Sequence, residues 1–269
     1  MKNRLQYVLS ELDAMERTAL RQSPLHCLDV RAKLLVTVVF LVTMLSVPLT
    51  RLSELLLYFT FPILTAAMGG LDYRKVFRRS LAVLPFVAFV GFFNLFYDRQ
   101  PAFMVGSVVV TSGGISFLSI ILRGLLSVQA LLLLIQSTGY YNMCRGMQRL
   151  GVPALFTTQL LFVYRYLYVL IEEALAMQRA RDARSFGRGS YPLKVWGTMI
   201  GQLLIRSFER SERIGCAMLA RGFRGCIPAG IYDLPAWNRR DTLFLAAWSA
   251  VLVAMRVFRP VETLSALLN

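Results

Sequence analysis

Four stretches of this chain run the length of a bilayer core almost without a charge. Leu34 to Thr50, Leu55 to Leu71 and Ser80 to Tyr97 hold no Asp, Glu, Lys or Arg, and Ile115 to about Gln136 holds only Arg123. A spanning helix needs about 20 apolar residues, with about 17 as the lower limit. Only VPLTRLSE joins the first two runs, so they form a hairpin. The third is followed by DRQPAFMVGSVVVTSGG, a loop with Pro, Gly and a β-branched patch. A last, shorter candidate is Thr242 to Met255, which borrows the stems of Arg256 and Arg259 because these side chains can snorkel. The expected fold is all-α: a polytopic membrane protein with about five transmembrane helices and two long crossed cytoplasmic helices.

Composition agrees. Of 269 residues 56% are hydrophobic and 17% charged, with a mean hydropathy of +0.55, values soluble domains rarely reach. The net charge is +15. Its basic residues alternate with apolar runs, which fits the positive-inside rule and argues against nucleic acid as a partner. The first 22 residues are charged and amphipathic, unlike a secretory signal. The stretch from Leu5 to Ala19 suits the membrane surface, where lipid is a partner, or packing on a neighbouring subunit. Cys27, Cys144, Cys216 and Cys226 form no C-x-x-C pair, and His26 is the single histidine. No disulfide framework, metal site or cofactor is expected from this inventory.

Lysine and arginine counts orient the spans. Six precede the first span: Lys2, Arg4, Arg17, Arg21, Arg31 and Lys33. Arg74, Lys75, Arg78 and Arg79 lie between the second and third, while the opposite connections hold only Arg51 and Arg99. The N-terminus is therefore expected in the cytoplasm. Residues 137–240 carry fifteen Lys and Arg against six Asp and Glu, so this segment is expected there too. The chain divides accordingly: 1–136 holds the amphipathic N-terminus and four transmembrane helices, 137–240 the cytoplasmic region, and 241–269 the last span with the C-terminus.

The cytoplasmic region reads as two long helices. From Ala154 to Phe186 there is no Pro or Gly, and Pro153 suits the opening turn. GRGSYP breaks the pattern, and a second helix follows from Leu193 to Arg221. Its Trp196, Ile200, Leu203, Leu204, Ser207, Phe208, Ile214 and Met218 recur mostly at three- and four-residue steps, which reads as one apolar face. Gly197, Gly201 and Gly215 would permit close crossing. Each helix ends in arginine after small residues: Ala183, Arg184, Ser185 in the first and Ala220, Arg221, Gly222 in the second. The copies lie 37 residues apart. One such arginine can simply complement the helix dipole or bind anionic lipid. Two copies, each with small neighbours that clear space, suggest a duplicated partner whose carboxylate or helix-end carbonyls take the guanidinium fork.

RSFERSERIGCAMLARGFRG resembles the signature of the transmembrane T component of energy-coupling factor (ECF) transporters, in its cobalt/nickel subtype. SPLHCLDVRAKLLVTVVFLV, VTSGGISFLSIILRGLLSVQALLLLIQST and YRYLYVLIEEALAMQRARDARSF agree with it, so the resemblance runs from about Ser23 to Gly225. Ala220-Arg221-Gly222 matches the family's Ala-Arg-Gly motif, whereas Ala183-Arg184-Ser185 carries serine where glycine is usual. The resemblance implies two cytoplasmic coupling helices and two ABC-type ATPase subunits, each taking one motif arginine. It also implies a substrate-capture membrane subunit that releases its cargo inside the cell, at the inner or plasma membrane. Cobalt or nickel is the implied cargo, with vitamin-capture subunits as the alternative.

No G-x-x-x-x-G-K-[ST] phosphate loop occurs, so ATP hydrolysis is expected of partner chains and no catalytic residue is assigned. A membrane enzyme acting on phosphorylated lipid is the more remote reading, since no nucleophile–base pattern is present. Arg123 either pairs within the protein or lies before the true start of its span and snorkels outward. Glu209 and Glu212 are expected to pair with Arg206, Arg210 and Arg213 along their own helix, or else to face a partner.

Overall fold

The computed structural model describes residues 23–49, 51–97, 101–105, 108–185, 193–225 and 237–257, with scattered helical positions between 7 and 18. Most of the amphipathic N-terminus, the GRGSYP break, Arg259 and Cys226 lie outside the described residues. The chain forms two compact units. One comprises residues 18–139 and 234–269, and the other residues 1–17 and 140–233.

The first unit is a helix bundle. Its elements are α1 (Val30–Leu45), α2 (Leu52–Leu57), α3 (Thr60–Gly69), α4 (Tyr73–Ser80), a 3-10 turn (Leu81–Val83), α5 (Leu84–Tyr97), α6 (Ser112–Thr138) and α10 (Arg239–Val257). A two-stranded antiparallel hairpin, β1 (Pro101–Val105) and β2 (Val108–Thr111), joins α5 to α6. It falls on the β-branched patch of the loop, where VVVT favours extended backbone. The remainder of the described secondary structure is helical, and the fold is that of an all-α polytopic membrane protein.

The second and third spans are each broken by proline. Pro62 lacks the N–H that would bond Tyr58, and the chain tightens there: Tyr58 N–H reaches Leu55 O and Phe59 N–H reaches Leu56 O. Pro85 follows the 3-10 turn that separates α4 from α5. The third span also starts seven residues before the uncharged run does. Arg74, Lys75, Arg78 and Arg79 are part of α4 rather than of a connecting loop, and they line the helix's polar side while Val76 is buried.

Side chains from α1, α2, α3, α6 and α10 build the bundle's core. Val36, Phe40 and Met44 repeat every fourth residue on α1 and pack with Leu55, Tyr58, Phe61, Leu126, Ala130 and Leu252. Phe40 stacks on Phe61 at 4.3 Å, and Trp248 meets Phe61 edge-on at 4.9 Å. The opposite side of α1 exposes Val38, Val42 and Leu45, which in a membrane protein is the lipid-facing surface. α5 and α6 approach most closely at two glycines. A Cβ on Gly124 would stand 2.8 Å from Val87, and one on Gly91 2.9 Å from Phe117.

Hydrogen bonds at both ends of the bundle fix the direction of its helices. Lys33 Nζ donates to Ser137 O at 3.0 Å, while Arg123 of α6 donates to Val47 O and Leu45 O just past α1. α1 and α6 are therefore antiparallel, matched over 14 residues on each, about 21 Å. Arg123 pairs within the protein; the snorkelling alternative does not hold.

α10 runs parallel to α1. At one end the Asp29 backbone N–H donates to Asp241 Oδ1 at 2.8 Å. At the other, Arg256 donates to Ser46 O at 3.0 Å instead of reaching outward from the bundle. Asp241 also accepts from the Asn238 N–H at 2.8 Å, while Asn238 Oδ1 accepts from the Arg239 N–H at 2.8 Å. One carboxylate thus caps α10 and ties it to α1. Arg31 stands beside it, bonded to Asp29 at 2.8 Å and 5.2 Å from the Trp237 ring centre. Asp241→Ala strands two backbone N–H groups and is expected to cost about 2–4 kcal/mol. Thermal unfolding in detergent would read this as a clear drop in Tm, with a smaller drop for Asp241→Asn.

The second unit contains α7 (Tyr140–Arg149), α8 (Ala154–Arg184) and α9 (Leu193–Ala220). α7 packs on α8, with Tyr140 stacked on Tyr164 at 4.4 Å. Burial pushes the Cys144 thiol of α7 up to about 11, so it is protonated near neutrality.

Among the described residues, four helical stretches are long and apolar enough to cross a membrane: Leu52–Gly69, Tyr73–Phe93, Gly113–Thr138 and Ala154–Arg184. α1 is not among them, at 16 residues; nor is α10. α8 is among them, although the sequence assigns it to the cytoplasmic region. Its composition explains this. Residues 154–171 contain one charge, Arg165, whereas 172–184 contain six.

Candidate functional site

The two motif arginines stand at helix ends that the sequence closes in different ways. α9 ends at Ala220. Gly222 N–H donates to Leu219 O at 2.9 Å and Phe223 N–H to Met218 O at 3.0 Å, with Gly222 at φ +75°. This is a Schellman closure, and it needs the left-handed conformation that glycine adopts without strain. α8 ends at Arg184, and Ser185 keeps right-handed helical geometry at φ −88° and ψ −1°. Its hydroxyl donates to Asp182 O at 2.9 Å and its N–H to the same carbonyl at 3.2 Å. Serine in place of glycine thus changes how the helix terminates.

Around both ends the surface is open and small. Ala180, Ala183 and Arg184 are exposed on α8, and Ala217, Ala220 and Arg221 are exposed on α9. Each guanidinium sits at the negative end of its helix dipole, with two alanines on the turn before it. A partner can approach such an arginine closely.

α8 and α9 run in opposite directions. Phe162 meets Phe223 at 6.2 Å between ring centres, and Glu173 accepts from Arg210 at 2.9 Å. Arg184 and Arg221 therefore lie on opposite sides of this contact, each 11 residues beyond the ion-paired residue of its own helix, or about 16 Å. A groove of about 460 Å³ lies between the helices, lined mainly by apolar side chains that include Phe162, Tyr166, Leu170, Ile214, Met218 and Phe223.

Several expectations change here. Arg206 and Arg210 pair across to Glu173, at 3.5 and 2.9 Å, and not along their own helix. The apolar face of α9 is covered over only part of its length. Ser207, Ile214 and Met218 line the groove, while Ile200, Leu204 and Phe208 are exposed. Gly197, Gly201 and Gly215 have open space where a Cβ would stand, so no close crossing among the described residues uses them. Among the described residues no three His, Cys, Asp or Glu side chains gather at metal-binding distance.

Sequence reasoning assigned no role to Glu173, Asp29 or Asp241. For Asp241 a signal was present: NRRD has the spacing of a helix-capping pair. For Glu173 none was, because its partners lie on another helix.

The family model described as CbiQ, cobalt transport protein, matches residues 21–229. The energy-coupling factor transporter transmembrane protein EcfT of Streptococcus equi subsp. equi is 26% identical over 236 residues, 82% of this chain and 87% of that one. The cobalt transport protein CbiQ of Salmonella typhimurium is 28% identical over 105 residues, 38% of this chain and 46% of that one. The nickel permease LarQ of Lactiplantibacillus plantarum is 27% identical over 89 residues, 33% of each chain. A model spanning most of the chain, on a polytopic helical fold that includes both arginine-ended helices, shows that the chain belongs to the CbiQ cobalt transport protein family and is a membrane component of a transporter rather than an enzyme.

Proposed function

We propose that the chain is the scaffold of an ECF-type ABC importer, passing the ATP-driven motion of two ATPase subunits to a separate substrate-capture membrane subunit. The observation that carries this reading is the pair of exposed arginines, each ending a long helix, on helices that point in opposite directions. In this reading α8 and α9 are the coupling helices, and Arg184 and Arg221 each enter a groove on one ATPase. Ala183, Ser185, Ala220 and Gly222 keep the approach clear.

The direction of the bundle's helices supports a cytoplasmic place for both coupling helices. The chain leaves the bundle after Ser137, beside Lys33, and re-enters it at Asn238, beside Asp29. Both points are at the same end of α1, so the stretch between them makes an even number of crossings. α8 alone is apolar enough to cross, while α9 carries five charges between Arg206 and Arg213. A lone crossing by α8 would leave the return unaccounted for. The basic excess of residues 137–240 supports a cytoplasmic side for that end under the positive-inside rule.

The family names favour a divalent metal as cargo, Co²⁺ or Ni²⁺, over a vitamin. The cargo is bound by the capture subunit. Deleting this chain from its host is expected to abolish high-affinity uptake of labelled Co²⁺ or Ni²⁺, with rescue by the intact chain. Unchanged metal uptake with lost uptake of a labelled vitamin would favour the shared vitamin-type scaffold.

A further inference from the structure

Glu173 sits where the two long helices meet, and its carboxylate is shared. Arg210 Nη2 donates to Oε2 at 2.9 Å, and Arg206 Nη1 lies 3.5 Å from Oε1. Its side chain is 14% exposed, against 36% for Arg210 and 55% for Arg206. Two cations, one helical turn apart on α9, thus grip both oxygens of a half-hidden anion on α8. A single exposed pair would contribute little, whereas a shared, partly buried carboxylate resists rotation of one helix on the other.

The position of this brace along the chain is regular. Arg184 follows Glu173 by 11 residues, and Arg221 follows Arg210 by 11. Both pairs are therefore offset by the 37 residues that separate the motifs. On the Arg221 side the helices have a second contact, Phe162 with Phe223. Past Glu173 toward Arg184, Ile200 and Leu204 of α9 are exposed, so α8 does not cover them there.

Resting on the coupling role proposed above, we infer that Glu173 is a positioning residue: through Arg206 and Arg210 it fixes the angle between α8 and α9, and with it the spacing at which Arg184 and Arg221 are offered to the two ATPases. Glu173 touches neither ATPase nor cargo in this account. Its loss leaves both arginines able to dock but lets the helices pivot, so movement of one ATPase is absorbed at the crossing instead of being transmitted.

The test places spin labels at Ala180→Cys and Ala217→Cys in the full chain, with the four native cysteines replaced by alanine, reconstituted in lipid nanodiscs. Pulsed dipolar spectroscopy should give a single narrow distance distribution for the otherwise native chain. Glu173→Gln should widen it at least twofold. In the assembled complex the same substitution should keep both ATPases bound while transport per ATP hydrolysed falls at least tenfold. The swapped variant Glu173→Arg with Arg206→Glu and Arg210→Glu should restore the narrow distribution. An unchanged width, or unchanged transport per ATP, in Glu173→Gln overturns the inference. Should Glu173→Gln fail to accumulate, the swapped variant decides: a narrow distribution supports the brace, and a broad one or no folded protein overturns it. Label distances are measured without ATPases, so they stay informative even if Arg184 and Arg221 prove not to hold them.

Discussion

Arg184→Glu combined with Arg221→Glu is expected to strip the scaffold of both ATPase subunits and to lower substrate uptake at least a hundredfold. Each substitution replaces a guanidinium at the negative end of a helix by a carboxylate. This repels an acidic or carbonyl-lined groove, where arginine had donated up to five N–H bonds. Both positions are exposed and neither side chain takes part in a described ion pair of the chain, so the fold should survive. Co-purification with tagged ATPases from detergent extracts reads the outcome. Retention of both ATPases at wild-type levels would remove the coupling role from these residues. The two single substitutions fall on helix ends that are closed differently. Arg221 rests on a rigid glycine closure, while Arg184 ends a helix whose last residue, Ser185, keeps helical geometry.

The second large effect is expected within the bundle. Arg123→Leu should leave little folded protein, at a cost of about 2–5 kcal/mol. The reason lies in α1, whose last carbonyls its own helix cannot satisfy. Arg123 donates to those of Leu45 and Val47, and Arg256 to that of Ser46. Two guanidinium groups from different helices thus close the end of a third, where lipid could not. Size-exclusion yield and thermal unfolding in detergent would measure the loss. Arg123→Lys, with donors from one nitrogen, should recover part of it. A wild-type Tm for Arg123→Leu would mean that these carbonyls find other donors.

The spans that could be located from sequence are those without charges at their ends. The two that shifted did so because charged residues are accommodated in helices. α1 starts at Val30 since Asp29 caps it and Arg31 and Lys33 find partners at once. The third span starts at Tyr73 because arginines and a lysine can line one side of α4. α7 was not separable from its surroundings, being only ten residues long. The arginine motifs were legible because small residues and a glycine cap leave a local pattern. The brace at Glu173 was not. A sequence offers a carboxylate its neighbours three and four residues away, and only the crossing of two helices brings Arg206 and Arg210 to it. Arg123 shows the same limit, since its partners are backbone carbonyls some 76 residues away.

The central claim is that one chain holds two ATPases through two separate arginines. Native mass spectrometry of the complex, released from detergent micelles, counts the ATPase subunits per scaffold directly. Two are expected for the unmodified chain, one for Arg184→Glu, one for Arg221→Glu and none for the double variant. Two ATPases retained by either single variant, or both lost together on substituting one arginine alone, would contradict two independent docking points.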